Sequence, residues 1–296
     1  MLAAWRVSLR RTRSDWPIVL AAWLVTLLAA VLLAAGPIYA TAASEAGLRR
    51  AIQDAPVADR NVQVSLYVAT SDADAVEEAV DAELQPIVAP VNGVLIHEWR
   101  GSQTLALPNR QGAAPGDQAV VGSMGELRAH ASLVDGAWPG EQARAAGAVE
   151  VVVLDVLAQA LGLRTGDELA LVAHPSNDPL EVPVRVVGII ALDDDGAYWH
   201  ADDLLTTGSH DNGRYRTFGP FLTTPANLLR TAGITSIDMR LGTFAPYERL
   251  TADDAARVRD RLRGLSDRLG VLAGAPVVVT TGMITLLDDA ERSLLV

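Results

Sequence analysis

The sequence predicts an α+β protein: one N-terminal transmembrane helix followed by a mixed α/β extracytoplasmic domain with a second small β-rich subdomain. Three observations predict it. Pro17 to Gly36 is an apolar run whose only hydroxyl is Thr26, and no charged residue lies between Asp15 and Glu45. Beyond it, alternating and helical apolar patterns interleave along the chain. Charge is also divided: Arg6, Arg10, Arg11 and Arg13 against Asp15 leave +3 before the run, so the rest carries −15 of the total −12.

The membrane helix follows from length and composition. Twenty residues at a rise of 1.5 Å span about 30 Å, the thickness of the hydrocarbon core. Ten large aliphatic residues at about −0.3 to −0.6 kcal/mol each favour insertion by about 3 to 6 kcal/mol. Trp16 and Tyr39 sit where interfacial aromatics belong, and Gly36-Pro37 predicts a break at the outer edge. Residues 1–15 are read as a cytoplasmic interfacial segment. Leu2, Trp5 and Leu9 share one helical face there, and Arg6, Arg10 and Arg13 another. The expected anchor and cytoplasmic-face residues are therefore Trp5, Arg6, Arg10, Arg11, Arg13 and Trp16, with the chain held in the cell membrane, the arginines on its cytoplasmic side and the bulk of the chain extracytoplasmic. Ala40-Thr41-Ala42 has the small-x-small form of a signal cleavage site, but the apolar run is longer than the roughly 7 to 15 residues of a signal peptide. The helix is read as retained, over residues 16–40.

A stalk follows at 41–60, helical to Asp54, with Glu45 and Arg49 spaced for an i,i+4 pair and Pro56 as the stop. The core domain is expected over 61–282. Val62, Val64, Leu66 and Val68 alternate as a strand, and Ser71 opens a helix that should end at Pro86. Val94 to Trp99 and Gln103 to Leu107 read as a hairpin closed near Gly101-Ser102. The β-rich subdomain is placed at about 118–230. In it Val149 to Leu163 passes from an apolar run to helical spacing, with Gly162 as a left-handed cap, and Glu168–Ala173 and Val182–Leu192 are strands. Asp193 to Thr224 lacks a period and reads as an elaborated loop. Ile234 to Leu241 is a strand, Thr251 to Leu269 a helix opened by a Thr251/Asp254 pair, and Val277 to Thr280 a strand. Residues 283–296 read as a helix returning toward the membrane.

Three stretches resemble an FtsX-like, MacB-type ABC transporter permease, in its N-terminal helix and extracytoplasmic core domain. The first is Gly36-Pro37-Ile38-Tyr39 with Gly47-Leu48-Arg49-Arg50-Ala51-Ile52. The second is Asp135-Gly136-Ala137-Trp138-Pro139, then Glu150 to Val153 and Ala160-Leu161-Gly162-Leu163-Arg164-Thr165-Gly166-Asp167-Glu168-Leu169. The third is Val184 to Ile190 with Tyr198-Trp199. Ala137 stands where the family usually carries Arg, and the later spans of a permease are absent from the 296 residues, so the chain is expected to be a fragment of one. The resemblance implies a permease subunit of an ATP-driven export or mechanotransmission system. Its partners would be a cytosolic ABC ATPase, a second permease copy or homologue in a dimer, and the lipid bilayer. The alternative is a bitopic membrane-anchored binding or signalling protein.

Composition excludes other classes. All 24 basic residues are arginine, so no P-loop lysine exists and ATP hydrolysis would belong to another subunit. The net charge speaks against nucleic acid. The absence of cysteine removes disulfides and thiolate metal sites. Asp193, Asp194, Asp195, His200, Asp202, Asp203, His210 and Asp211 crowd together, but their spacing fits neither a calcium loop nor a zinc helix. They are read as a solvated acidic loop. No catalytic, cofactor-binding or metal-binding residue is assigned, and no enzyme activity is expected. Trp138, Tyr198, Trp199, Tyr215 and Phe218 are expected to pin loops to the core.

Overall fold

A computed structural model of the chain describes residues 2–107, 112–140, 147–173, 179–193, 198–199 and 202–292; side chains of the first helix are described at 16–17, 20–35, 39, 42 and from 45 on, and those of 290–292 are left aside. The elements in order are α1 (Leu2–Asp54), α2 (Val57–Arg60), β1 (Gln63–Ala69), α3 (Ala73–Val88), β2 (Val94–Gly101), β3 (Leu105–Ala106), β4 (Gln118–Met124), α4 (Leu127–His130), β5 (Ala131–Gly136), β6 (Val149–Leu154), α5 (Asp155–Leu161), β7 (Glu168–Ala173), β8 (Glu181–Leu192), α6 (Asp203–Thr207), β9 (Ser209–Asp211), β10 (Arg216–Leu222), α7 (Pro225–Arg230), β11 (Ser236–Phe244), α8 (Ala252–Leu262), α9 (Leu265–Ala273), β12 (Val277–Thr280) and α10 (Met283–Arg292). The class is mixed α/β.

α1 is one unbroken helix of 53 residues. It passes through Gly36 and Pro37, where a break was expected, because a proline costs a helix one hydrogen bond and a bend rather than its continuity. From residue 20 to residue 35 every side chain is exposed, among them Leu24, Leu28, Leu32 and Leu33. Among the described residues, no helix is long and apolar enough to cross a membrane. The longest run of α1 whose side chains are all described is residues 20–35, about 24 Å of helix. At its far end α1 enters the fold: Leu48 and Ile52 are buried, and Arg49 Nε donates to the Glu248 carbonyl at 3.3 Å rather than pairing with Glu45.

Two sheet regions are joined through one strand pair. β12, β1, β11 and β2 form an antiparallel wall. Its inner face carries Val64, Leu66, Val68, Ile237, Met239 and Leu241, and α3, α8 and α9 cover it with Val80, Leu84, Val258, Leu262 and Leu269, all buried. β2 then pairs with β4 at Glu98↔Met124, Trp99↔Ser123 and Arg100↔Gly122. From β4 the order β3, β7, β8, β6, β10 returns to β4, closing a six-stranded ring. The ring is parallel at β6/β8 and β4/β10 and antiparallel elsewhere. Closure leaves no free edge among these six strands.

The local readings fare unevenly. Thr251 caps α8 by accepting from Asp254 N–H, and Gly162 closes α5 in the left-handed region, both as expected. α3 carries Pro86 inside its last turn and ends at Val88, two residues beyond the expected stop, since the proline removes one hydrogen bond to the carbonyl four residues before it without ending the helix. β2 and β3 form no hairpin: β2 pairs with β11 and β4, β3 with β4 and β7. The segment read as an elaborated loop holds α6, β9 and β10, and β10 is a buried core strand with Phe218 and Phe221. One helix expected over Thr251–Leu269 is two, broken at Gly264, whose φ of 68° sits outside helical space.

Candidate binding groove and the joint between wall and ring

The wall's outer face carries a ladder of charge at its junction with the ring. Strand alternation puts Glu98 and Arg100 of β2, and Asp238 and Arg240 of β11, on the face opposite the apolar one. The register sets Glu98 opposite Arg240 and Arg100 opposite Asp238. Arg100 is hydrogen-bonded to Glu98, and Arg240 reaches Asp238 with Nε at 3.0 Å and Nη2 at 2.9 Å. Asp202, at the start of α6, closes the network. One carboxylate oxygen accepts from Leu204 N–H at 2.8 Å, and the other accepts from Arg100 Nη2 at 2.8 Å and Arg240 Nη1 at 3.2 Å. Burial pushes the Glu98 carboxyl above its usual range, against the opposing pull of Arg100 and Arg240. For Asp202 burial acts upward too, but the charge and hydrogen bond of Arg100, the Leu204 N–H and Arg240 outweigh it and hold the carboxyl below the usual range.

Aromatic packing completes the joint. Tyr198 stacks on His130 at 3.6 Å between ring centres and meets Trp199 and Phe244 edge-on at 4.6 and 5.3 Å. Tyr198 and Trp199 are both buried, as the packing reading of these aromatics expects. A cleft of about 410 Å³ opens beside the joint, with Tyr67, Ser102 and His210 on its walls.

A groove of about 840 Å³ lies on the ring side, and Met124, Leu127, Trp138, Pro139, Val152 and Leu222 give it an apolar lining. That size is within the range of small-molecule sites. The Arg128 guanidinium lies over the Trp138 ring at 5.6 Å and donates to the Pro139 carbonyl at 3.4 Å. Trp138 is placed there by a knot of three segments. Ala137 N–H donates to Val187 O at 2.8 Å, Gly166 N–H to Val186 O at 2.7 Å, Val186 N–H to Asp167 O at 2.9 Å, and the Thr165 hydroxyl to Asp135 at 2.6 Å. Gly136 has φ 81°, and a Cβ on it would stand 2.2 Å from Val187 O. The Asp135–Pro139 motif, the Thr165-Gly166-Asp167 turn and the Val184–Ile190 strand are therefore one structural unit.

No family model and no curated protein matches the chain. Among solved structures, the chain is similar to the periplasmic region of MacB from Actinobacillus actinomycetemcomitans, at 12% identity and a TM-score of 0.38, covering 79% of this chain and 92% of that one. It is also similar to a domain assigned to a permease protein of Porphyromonas gingivalis, at 11% identity and a TM-score of 0.33, covering 77% and 90%. Superposition at these scores is partial, and the functional reading rests on this chain's own residues.

The expected anchor residues fall mostly beyond description: the side chains of Trp5, Arg6, Arg10, Arg11 and Arg13 lie outside the described residues, and Trp16 is exposed. In the acidic segment, Asp194, Asp195 and His200 lie outside them as well. Asp193 accepts from the Ser132 hydroxyl at 2.5 Å, Asp203 faces His210 at 3.3 Å, and Asp202 belongs to the joint. Among the described residues no three metal-ligating side chains gather at one point. Sequence reading missed Glu98, Arg100, Asp238 and Arg240. Opposite charges two apart within two apolar strands were the available signal, because such residues share a sheet face.

Proposed function

We propose that this chain is the membrane-anchored, extracytoplasmic part of an ABC-type permease subunit. In this reading residues 1–15 are cytoplasmic, 16–40 cross the bilayer, 41–60 form the stalk, and 61–282 form a non-enzymatic core domain with its β-rich part at about 118–230. The observation that carries it is the continuity of α1. One helix presents an exposed apolar surface over residues 20–35 and ends with Leu48 and Ile52 buried in the folded domain. A rod of this kind transmits displacement between bilayer and domain without a flexible linker. Two of the three motif stretches support the same reading, since they meet in the hydrogen-bonded knot beneath the groove. Energy would come from a cytosolic ATPase, because the chain has no lysine for a phosphate loop. Assembly as a dimer with a second permease copy belongs to the same proposal.

The absence of cysteine makes the topology directly testable. Single substitutions Ser14→Cys, Ser71→Cys and Val134→Cys are treated with a membrane-impermeant maleimide on intact cells. Labelling at positions 71 and 134 with protection at 14 is expected. Protection at 71 or 134 would place the domain on the cytoplasmic side and end the permease reading. The bitopic binding-protein reading draws support from the apolar groove beside Trp138. It is separated from the first by the coding sequence downstream of Val296, where further apolar spans support a permease and a stop codon supports a bitopic protein.

A further inference from the structure

We infer that Asp202 is a reversible clasp between the wall and the ring, with the β2–β4 strand pair as the hinge on which the two regions turn. The argument begins with charge. Within the wall, Glu98–Arg100 and Asp238–Arg240 are two complete ion pairs, each between residues two apart on one strand face. Asp202 is a third carboxylate laid on both guanidiniums from the ring side. Removing it strands no buried charge, because each arginine keeps its own partner. A structural salt bridge behaves otherwise, since separating its members leaves an uncompensated ion in low dielectric. Asp202 itself leaves toward water, carrying its hydrogen bond to Leu204 N–H as the cap of α6.

Geometry supplies the rest. The cleft of about 410 Å³ beside Asp202 brings solvent to the clasp, and among the described residues Asp202 is the only carboxylate of the ring side that touches the wall's arginines. Trp199 docks next to it, lining a small cavity with Glu98 and Arg240, and its buried Nε1–H meets no acceptor among the described residues. A docked contact that leaves a donor unsatisfied gains hydrogen bonding on release. The Glu98↔Met124, Trp99↔Ser123 and Arg100↔Gly122 pairs hold wall and ring together while the clasp is open. Hinge and clasp thus share Glu98 and Arg100, so movement at one is felt at the other.

The test uses the full chain in detergent or lipid nanodiscs. Spin labels are placed on Val278→Cys of β12 and Val134→Cys of β5, both exposed positions in a chain without native cysteine, and distances are read by pulsed electron resonance. Asp202→Asn is the decisive variant, since asparagine keeps the helix cap and loses the charge. The expected result is one narrow distance in the parent. In Asp202→Asn a second, longer population should hold about a tenth of the molecules or more, with a melting temperature lowered by no more than about 4 °C. Glu98→Gln serves as the contrast: it breaks a pair inside the wall and should lower the melting temperature further while leaving the distance single. An unchanged distance in Asp202→Asn would overturn the inference. So would a loss of stability as large as that of Glu98→Gln, which would make Asp202 an ordinary structural partner.

Discussion

His97 illustrates how a single side chain sets a pH dependence. Its Nε2 lies 2.9 and 3.1 Å from the two Asp81 oxygens and 3.7 Å from Glu77, both on α3, with Glu126 nearby on the groove's edge. Burial opposes protonation, but the hydrogen bond and charge of Asp81, then Glu77 and Glu126, outweigh it and raise the imidazole above its ordinary 6.5. A raised folded value means that the stabilisation is complete below the unfolded value and disappears as pH rises through the folded one. Glu77 is raised too, chiefly by burial, so its ionisation also counts against the fold as pH rises. The melting temperature should therefore fall from about pH 6 to pH 8, and His97→Gln should flatten that slope. An identical slope in the variant would remove His97 as its source. Gly136 gives a second prediction at this scale. Gly136→Ala forces a side chain into the left-handed region and against Val187 O, at a cost of at least about 1–3 kcal/mol by denaturant titration. A neutral result would mean that the knot beneath Trp138 relaxes freely.

At the scale of elements, the docking of α1 is the feature on which the proposed function rests. Ile52 is fully buried against the domain, and truncation to alanine should cost about 2–5 kcal/mol if the site cannot collapse. Because that loss falls on one contact surface, hydrogen exchange should accelerate over residues 45–54 of α1 and over α10, which packs beside it, while the ring strands keep their protection. Uniform acceleration through β6 and β8 would show instead that α1 belongs to the global cooperative unit. The same scale shows where sequence reading loses its grip. Val258, Leu262, Leu265 and Leu269 keep an unbroken three-and-four spacing across Gly264, so the pattern reads as one helix where the backbone makes two. β10 escaped notice because Phe218 and Phe221, its largest buried side chains, stand three apart, off the two-residue period of a strand, around a register shift against β4.

For the whole molecule the expectation concerns the bilayer. With the insertion free energy of about 3–6 kcal/mol estimated for its apolar run, the full chain should stay with membranes through an alkaline carbonate wash and leave only with detergent. Release by carbonate would reduce α1 to a surface-bound helix. Charge bears on the same expectation, since the −15 carried beyond the apolar run disfavours close approach to anionic headgroups, and in the proposed reading α1 would provide the stand-off.

The apolar run, the strand β1, the Thr251 cap, the Gly162 cap and the positions of β7 and β8 could all be read from the chain, because each depends on residues within one or two turns of one another. The ring, the joint and the groove could not. β10 meets β4 across about a hundred residues, Asp202 meets Arg100 across a separation of 102, and Trp138 is held by strands and a turn that follow it by dozens of positions. Local sequence carries the period of an element and the chemistry of its ends. Which strands become neighbours is decided by burying their apolar faces together, and that energy exists only once the chain has folded.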